Sequence, residues 1–132
     1  RNVPHKAHEW IHMHALKKCG ALFIQPMIGQ FKLNEYKDKT IIKTNKKLVK
    51  IYNNKKIIYG NYFSFPKYGG PNEALLHALV RKNYGCTHFM VGRDHAGISD
   101  YYDKYASQLK CKKLENKLLL NIIKFKESVL CL

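Results

Sequence analysis

Two histidines near the start of this sequence have the type and spacing to act on an anion. His5 and His8 are three residues apart, so both imidazoles project from one side of the first turns of a predicted helix. The backbone N–H groups of that helix start already favour an anion, and two imidazoles beside them could hold the phosphates of a nucleotide. Two alternatives remain open: a metal-binding face that includes His12, or ordinary surface histidines.

A second candidate for chemistry is the polar loop Gly-Arg-Asp-His-Ala-Gly at residues 92–97. It places a cation, an anion and an imidazole between two glycines, where the backbone can come close to a ligand. The loop follows a segment with the composition of a buried strand, and open α/β sheets bind their ligands at the carboxyl ends of strands. The alternative is a structural turn closed by an ion pair between Arg93 and Asp94.

The remaining histidines suggest packing rather than chemistry. His77 and His88 lie within predicted buried elements, so we interpret them as packed or hydrogen-bonded side chains. We interpret His12 and His14 as surface residues.

Helices and strands that alternate along the chain must position these residues. Apolar periodicity with glycine and proline signals predicts helices over residues 5–19, 36–52 and 71–83. Buried strands are predicted over residues 21–28, 56–63, 86–91 and 118–125.

The first helix is predicted to begin at an Asn2 N-cap and to end at Gly20. Apolar spacing predicts which side chains of the first and third helices face inward. They are Trp10, Ile11, Ala15 and Leu16 in the first, and Ala74, Leu75, Ala78 and Leu79 in the third.

This alternation predicts an α/β fold with a parallel sheet flanked by helices. In such a sheet the helix start at His5 and the loop at Gly92 can lie on the same edge. They would then face one another across a nucleotide-sized cleft.

Length and composition favour one globular domain over residues 1–132. The formal net charge of +15 suggests a polyanionic partner, but the lysines are scattered and form no recognisable nucleic-acid motif, which disfavours nucleic acid. Four widely spaced cysteines fit reduced thiols. No apolar run approaches the roughly 20 residues that span a bilayer, so the sequence predicts a cytoplasmic protein without membrane contact.

Three segments together resemble the catalytic domain of ATP sulfurylase. They read R-N-V-P-H-K-A-H-E from residue 1, G-G-P-N-E-A-L-L-H-A-L from residue 69, and R-K-N-Y-G-C-T-H-F-M-V-G-R-D-H-A-G from residue 81. The resemblance spans most of residues 1–108, with weaker similarity over 122–131. It implies a Rossmann-like nucleotidyltransferase domain that converts ATP and sulfate into adenosine 5′-phosphosulfate and pyrophosphate, or the reverse.

The resemblance also implies partners and residue roles. Mg²⁺ would bind through the ATP phosphates without a metal site of the protein's own, and the complete protein would be a homo-oligomer. By position, Arg1 would bind sulfate and ATP and stabilise the transition state, Asn2 would contact the nucleotide phosphates, and His5 and His8 would stabilise charge on the bridging and leaving phosphates. Gly92, Arg93, Asp94 and His95 would line the nucleotide site, and the Ala96 backbone would bind sulfate.

The sequence also departs from the family pattern. Residues 1–132 do not include the family's amino-terminal domain, its first central strand or the Gln-Thr pair that precedes the position of Arg1. Lys67 and Asn72 stand where the family has arginines, which removes bidentate anion geometry. We therefore expect a partial catalytic domain that folds poorly in isolation. The alternatives are a non-catalytic nucleotide-binding fragment and a basic nucleic-acid-binding protein.

Overall fold

The computed structural model describes residues 2–29 and 36–126 as short parallel strand pairs flanked by helices. The predicted α/β class is confirmed. The chain divides into two compact units, Arg1–Pro66 and Lys67–Leu132, and the single domain predicted over residues 1–132 stays a prediction. In the described part of the chain, no helix has both the length and the apolar character needed to cross a membrane.

The first unit alternates helices with strands that are each interrupted once. Its described elements are α1 (Lys6–Cys19), β1 (Leu22–Ile24), β2 (Met27–Ile28), α2 (Asp38–Tyr52), β3 (Ile57–Tyr59) and β4 (Tyr62–Phe63). The strand pairs β1–β3 and β2–β4 are both parallel. Helix α1 contacts β1, and α2 contacts β2 and β3.

The two strands predicted in the first unit, residues 21–28 and 56–63, are each divided into two short strands, and the two breaks lie opposite one another. Pro26 follows β1 and has no N–H to give to a ladder, although its carbonyl still accepts from Tyr62 N–H at 3.0 Å. Gly60 and Asn61 interrupt the partner strand at the same level. The two parallel pairs therefore continue one another across this break.

Helix α1 begins and packs differently from the prediction. Its N-cap is His5 and not Asn2, while Gly20 ends it as predicted, in the left-handed region with φ 79°. Ala15 is the buried residue of this helix, and Trp10 is 56% exposed. The predicted inward face is therefore wrong at Trp10, whose ring stacks on His14 at 5.5 Å instead.

The second unit is built around one parallel strand pair with helices packed on it. Its described elements are α3 (Pro71–Asn83), β5 (His88–Val91), α4 (Ala106–Lys113), α5 (Glu115–Leu118) and β6 (Asn121–Lys124). Strands β5 and β6 pair with Phe89 opposite Ile122. The core consists of small, branched and aromatic apolar side chains: Ala74, Ala78, Phe89, Val91, Cys111, Leu118, Leu120 and Ile122.

Helix α3 confirms its predicted bounds, with Pro71 at its start and Ala74 and Ala78 fully buried. Leu79, which was predicted to face inward, is 42% exposed.

Helices α4 and α5 were not predicted. Helix α4 is nevertheless central to the unit, because Gln108 donates its amide to the carbonyls of Val91 at 3.1 Å and Phe125 at 2.6 Å. That one buried side chain ties together the carboxyl ends of β5 and β6.

Candidate functional site

His5 and His8 form a reciprocal cap at the start of α1. The Nδ1 atom of His5 accepts from Ala7 N–H, and Nδ1 of His8 accepts from His5 N–H, both at 3.3 Å. The two ring centroids are 4.1 Å apart. The prediction that both rings lie on one side of the helix start is confirmed.

These backbone contacts decide which nitrogen of each ring can act on a ligand. Because Nδ1 of His5 and of His8 accepts a backbone N–H, a neutral ring must carry its proton on Nε2. Burial, followed by the charge of His5, lowers the pKa of His8 from 6.5 to about 4. At neutral pH His8 is therefore an Nε2–H donor without a formal charge.

His12 departs from its predicted surface position. It is half-buried, its Nδ1 atom lies 3.1 Å from the Tyr52 hydroxyl, and burial lowers the pKa of the ring. The pKa of Tyr52 is raised to about 12, chiefly by burial and then by Glu9. This contact joins α1 to α2 and gives His12 a structural partner. His14 is exposed, as predicted.

The metal-binding alternative for His5, His8 and His12 finds no support in the structure. Within residues 2–29 and 36–126, no three His, Cys, Asp or Glu side chains are grouped so that they could hold a metal ion. Arg1 lies outside the described residues. Asn2 is exposed, three residues before the N-cap.

The loop that begins at Gly92 follows β5 directly, as predicted. Two of its non-glycine residues, Asp94 and Ala96, have the left-handed φ values of 54° and 60°, a conformation that costs roughly 1–2 kcal/mol per residue. The Asp94 N–H donates to the Lys104 carbonyl at 2.7 Å. A Cβ atom at Gly97 would overlap an oxygen of the Asp94 carboxylate, which would have to turn away, whereas a Cβ at Gly92 would meet no atom within 4 Å. The loop is thus held in a strained shape around an open glycine.

Three further contacts fix the far side of this loop. The Gly70 N–H donates to the Ala96 carbonyl at 2.9 Å, and Ser107 Oγ donates to the His95 carbonyl at 2.7 Å. His95 Nε2 lies 3.1 Å from Nδ1 of His77. The prediction that His77 is a packed, hydrogen-bonded residue is confirmed, but its partner in the loop at residues 92–97 was not predicted.

The prediction that His88 is packed or hydrogen-bonded is also confirmed, since its Nδ1 atom lies 2.9 Å from Thr87 Oγ1.

At the Asn72 position, where the resemblance expects arginine, Lys110 Nζ donates to the Asn72 side-chain oxygen. A lysine from α4 therefore lies beside the start of α3. Sequence reasoning missed this cation because α4 itself was not predicted.

The structure brings the predicted site residues together in two groups. His5 and His8 form one group in the first unit, and residues 92–96 form the other in the second unit. The cleft predicted between the groups stays a prediction.

Comparison with known proteins gives a consistent result. The ATP-sulfurylase family model matches residues 1–132. The sulfate adenylyltransferase of Chloroflexus aurantiacus is 38% identical over 133 residues, which cover 99% of this chain and 35% of that protein. The enzymes so named from Staphylothermus marinus and Synechocystis are each 45% identical, over 80% and 82% of this chain and 28% of their own lengths.

The chain spans about a third of the length of the curated relatives it matches. The family match nevertheless covers both the histidine pair and the glycine loop, and it extends over every residue of the sequence. The chain therefore belongs to the ATP-sulfurylase family.

Proposed function

We propose that the protein carrying this chain is a sulfate adenylyltransferase, which joins ATP and sulfate to give adenosine 5′-phosphosulfate and pyrophosphate, or runs the reverse reaction. The observation that carries the proposal is the family match over residues 1–132, which includes both groups of site residues. Relatives that bear this name and are 38–45% identical to the chain over the aligned segment support it. The homo-oligomer and the cytoplasmic location expected from the sequence belong to the same proposal.

The reaction requires the protein to position the two anionic substrates and to stabilise the charge that develops on the leaving group. A sulfate oxygen attacks the α-phosphorus, a new P–O bond forms, and the bond from the α-phosphorus to the bridging oxygen of pyrophosphate breaks. No proton has to move, and no covalent enzyme intermediate is needed. The barrier arises from bringing two anions together and from the charge that develops on the leaving group.

We assign His5 and His8 to the developing charge on the bridging and leaving phosphates. Their Nδ1 atoms are held by backbone N–H groups of the helix start, which supports an outward role for the two Nε2–H donors. Fixed donors cost no reorganisation when charge develops, so they favour the transition state over the bound substrate. Asn2 is assigned to the nucleotide phosphates, and Arg1 to sulfate and ATP on the resemblance alone.

Residues 92–95 are assigned to the nucleotide and the Ala96 backbone to sulfate. The open space above Gly92 supports close approach of a ligand to the backbone there. The contact from Gly70 N–H to the Ala96 carbonyl supports the second assignment, because it fixes the orientation of the residue whose N–H would bind sulfate.

Magnesium belongs to this proposal as part of the substrate. When bound to ATP it neutralises phosphate charge. Arg1, His5, His8 and the Ala96 backbone offer N–H donors, which suit phosphate and sulfate oxygens, so they would bind the anions while phosphates and water hold the metal.

The test is formation of ATP from adenosine phosphosulfate and pyrophosphate by the protein expressed from its complete reading frame. His8→Ala should abolish turnover, and His14→Ala should retain it, because His14 is an exposed histidine of the same helix. A folded wild-type product that binds nucleotide but forms no ATP would contradict the enzyme proposal and favour a binding protein of the same family.

A further inference from the structure

Helix α3 carries two buried polar side chains one turn apart, Glu73 and His77. They are 5% and 8% exposed and lie on the helix that contributes Ala74 and Ala78 to the apolar core of the second unit. The two ring nitrogens of His77 face different partners. Nε2 lies 3.5 Å from a carboxylate oxygen of Glu73, and Nδ1 lies 3.1 Å from Nε2 of His95. A continuous polar chain therefore runs from Glu73 through His77 to His95 of the ligand loop.

The Glu73 end of this chain is anchored to the backbone. Its two carboxylate oxygens accept from Lys67 N–H at 3.0 Å and from Gly69 N–H at 2.9 Å. A carboxylate that accepts these bonds can offer His77 only a further acceptor, so the neutral ring of His77 carries its proton on Nε2. Its Nδ1 atom is then an acceptor, which requires His95 to donate from Nε2.

The His95 end of the chain is fixed on its other sides as well. Its carbonyl accepts from Ser107, and its ring lies edge-on to Phe89 with centroids 5.6 Å apart. With the proton on Nε2, the Nδ1 atom of His95 can only accept a hydrogen bond. An acceptor suits the hydroxyl and amino groups of a nucleoside, whereas ionised phosphates offer no donor.

We propose that His77 is a positioning residue: held by Glu73, it fixes the tautomer and orientation of His95, so that His95 Nδ1 accepts a hydrogen bond from the nucleoside part of the substrate. The inference rests on the nucleotide role proposed for residues 92–95. It adds that His95 recognises the nucleoside part of the substrate and contributes nothing to pyrophosphate binding.

Two substitutions at residue 77 separate the two contacts of the ring. The amide of His77→Asn reaches about as far as Nδ1 and can still accept from His95, whereas the amide of His77→Gln reaches about as far as Nε2 and can still meet Glu73. In the ATP-forming assay with the complete protein, His77→Gln should raise the KM for adenosine phosphosulfate between about threefold and tenfold, the effect of one lost hydrogen bond. The KM for pyrophosphate should stay within about twofold in both variants, and His77→Asn should raise the KM for adenosine phosphosulfate by less than His77→Gln does.

Equal effects of the two substitutions, or parallel rises in both KM values, would overturn the proposal and indicate a packing role. A second readout does not depend on turnover: nitrogen-15 NMR of labelled histidines should show His95 protonated on Nε2 in the wild type and a mixture of tautomers in His77→Gln. A wild-type His95 protonated on Nδ1 would also overturn the proposal. Absence of ATP formation by the wild-type protein would count against the proposed function, and the NMR result would still decide the role of His77.

Discussion

His5 has two roles that a pair of substitutions can separate. Its Nδ1 atom caps α1 by accepting from Ala7 N–H, and its Nε2–H group is proposed to contact the phosphates. Asparagine is among the strongest N-cap residues, so His5→Asn keeps the cap and removes the imidazole. His5→Ala removes both.

The two roles differ in size by enough to be measured. Loss of an N-cap acceptor costs about 1 kcal/mol, so only His5→Ala should lower the free energy of unfolding by about that amount. A protein with a stability of about 5 kcal/mol remains more than about 99% folded after such a loss, so destabilisation alone cannot reduce turnover visibly. Removal of one preorganised donor to developing charge costs about 100-fold to 1,000-fold in kcat, and both variants should show that loss.

The assay is ATP formation from saturating adenosine phosphosulfate and pyrophosphate, alongside urea unfolding of each variant. His14→Ala is the matched control, since it removes an exposed imidazole from the same helix. If His5→Asn retained turnover within about threefold of wild type, the proposed contact with the leaving group would be refuted. If only His5→Ala lost activity, the histidine would act through the helix cap alone.

Three further predictions concern pH, the loop at residues 92–97 and a buried thiol. The pKa of His8 is lowered from 6.5 to about 4 in the folded protein, so between these pH values the unfolded chain binds a proton that the folded chain does not. The free energy of unfolding should therefore fall as the pH is lowered from about 6.5 to about 4. We expect a loss of about 1 kcal/mol, because the ring is half-exposed and solvent screens part of the effect. Urea midpoints at pH 7 and pH 4.5 should therefore differ less in His8→Gln than in wild type, and equal differences would contradict the shift. Gly97→Ala should weaken nucleotide binding because its Cβ would displace the Asp94 carboxylate, and Gly92→Ala should also weaken nucleotide binding while changing stability by less than about 0.5 kcal/mol. Burial raises the pKa of Cys111 to about 11, so a thiol reagent at pH 8 should modify this cysteine only after unfolding, and mass spectrometry of the labelled peptides would show any earlier reaction.

Local signals in the sequence were sufficient for the helices that begin and end with strong caps. Pro71 and Gly20 each impose a backbone conformation that depends little on the rest of the fold, and both boundaries were predicted correctly. Helix α4 was missed because two of the three residues that it buries, Ser107 and Gln108, are polar. Ser107 and Gln108 are buried and donate hydrogen bonds to carbonyl groups of the loop at residues 92–97 and of the strand ends. The hydrophobic pattern of an amphipathic helix is therefore absent from this segment.

The errors on α1 have the same physical origin. Trp10 was expected inside and His12 outside on hydrophobicity, yet Trp10 is exposed and His12 is half-buried. The partner of His12 is the hydroxyl of Tyr52, which lies at the end of α2 and 40 residues away in sequence. A contact between residues so far apart depends on how two helices pack, which a local pattern does not contain.

The candidate site histidines share one arrangement that only the structure shows. In His5, His8 and His95 one ring nitrogen is engaged by the protein, through the helix start for the first two and through His77 for the third. Such a contact fixes which nitrogen of a neutral ring carries the proton, so in the proposed roles the pair at the helix start acts as two donors and His95 acts as an acceptor. The formal charge of +15 attracts anions over a distance that salt shortens. We therefore expect discrimination between phosphate and nucleoside to depend on which nitrogen of each ring carries the proton, and not on the number of positive charges.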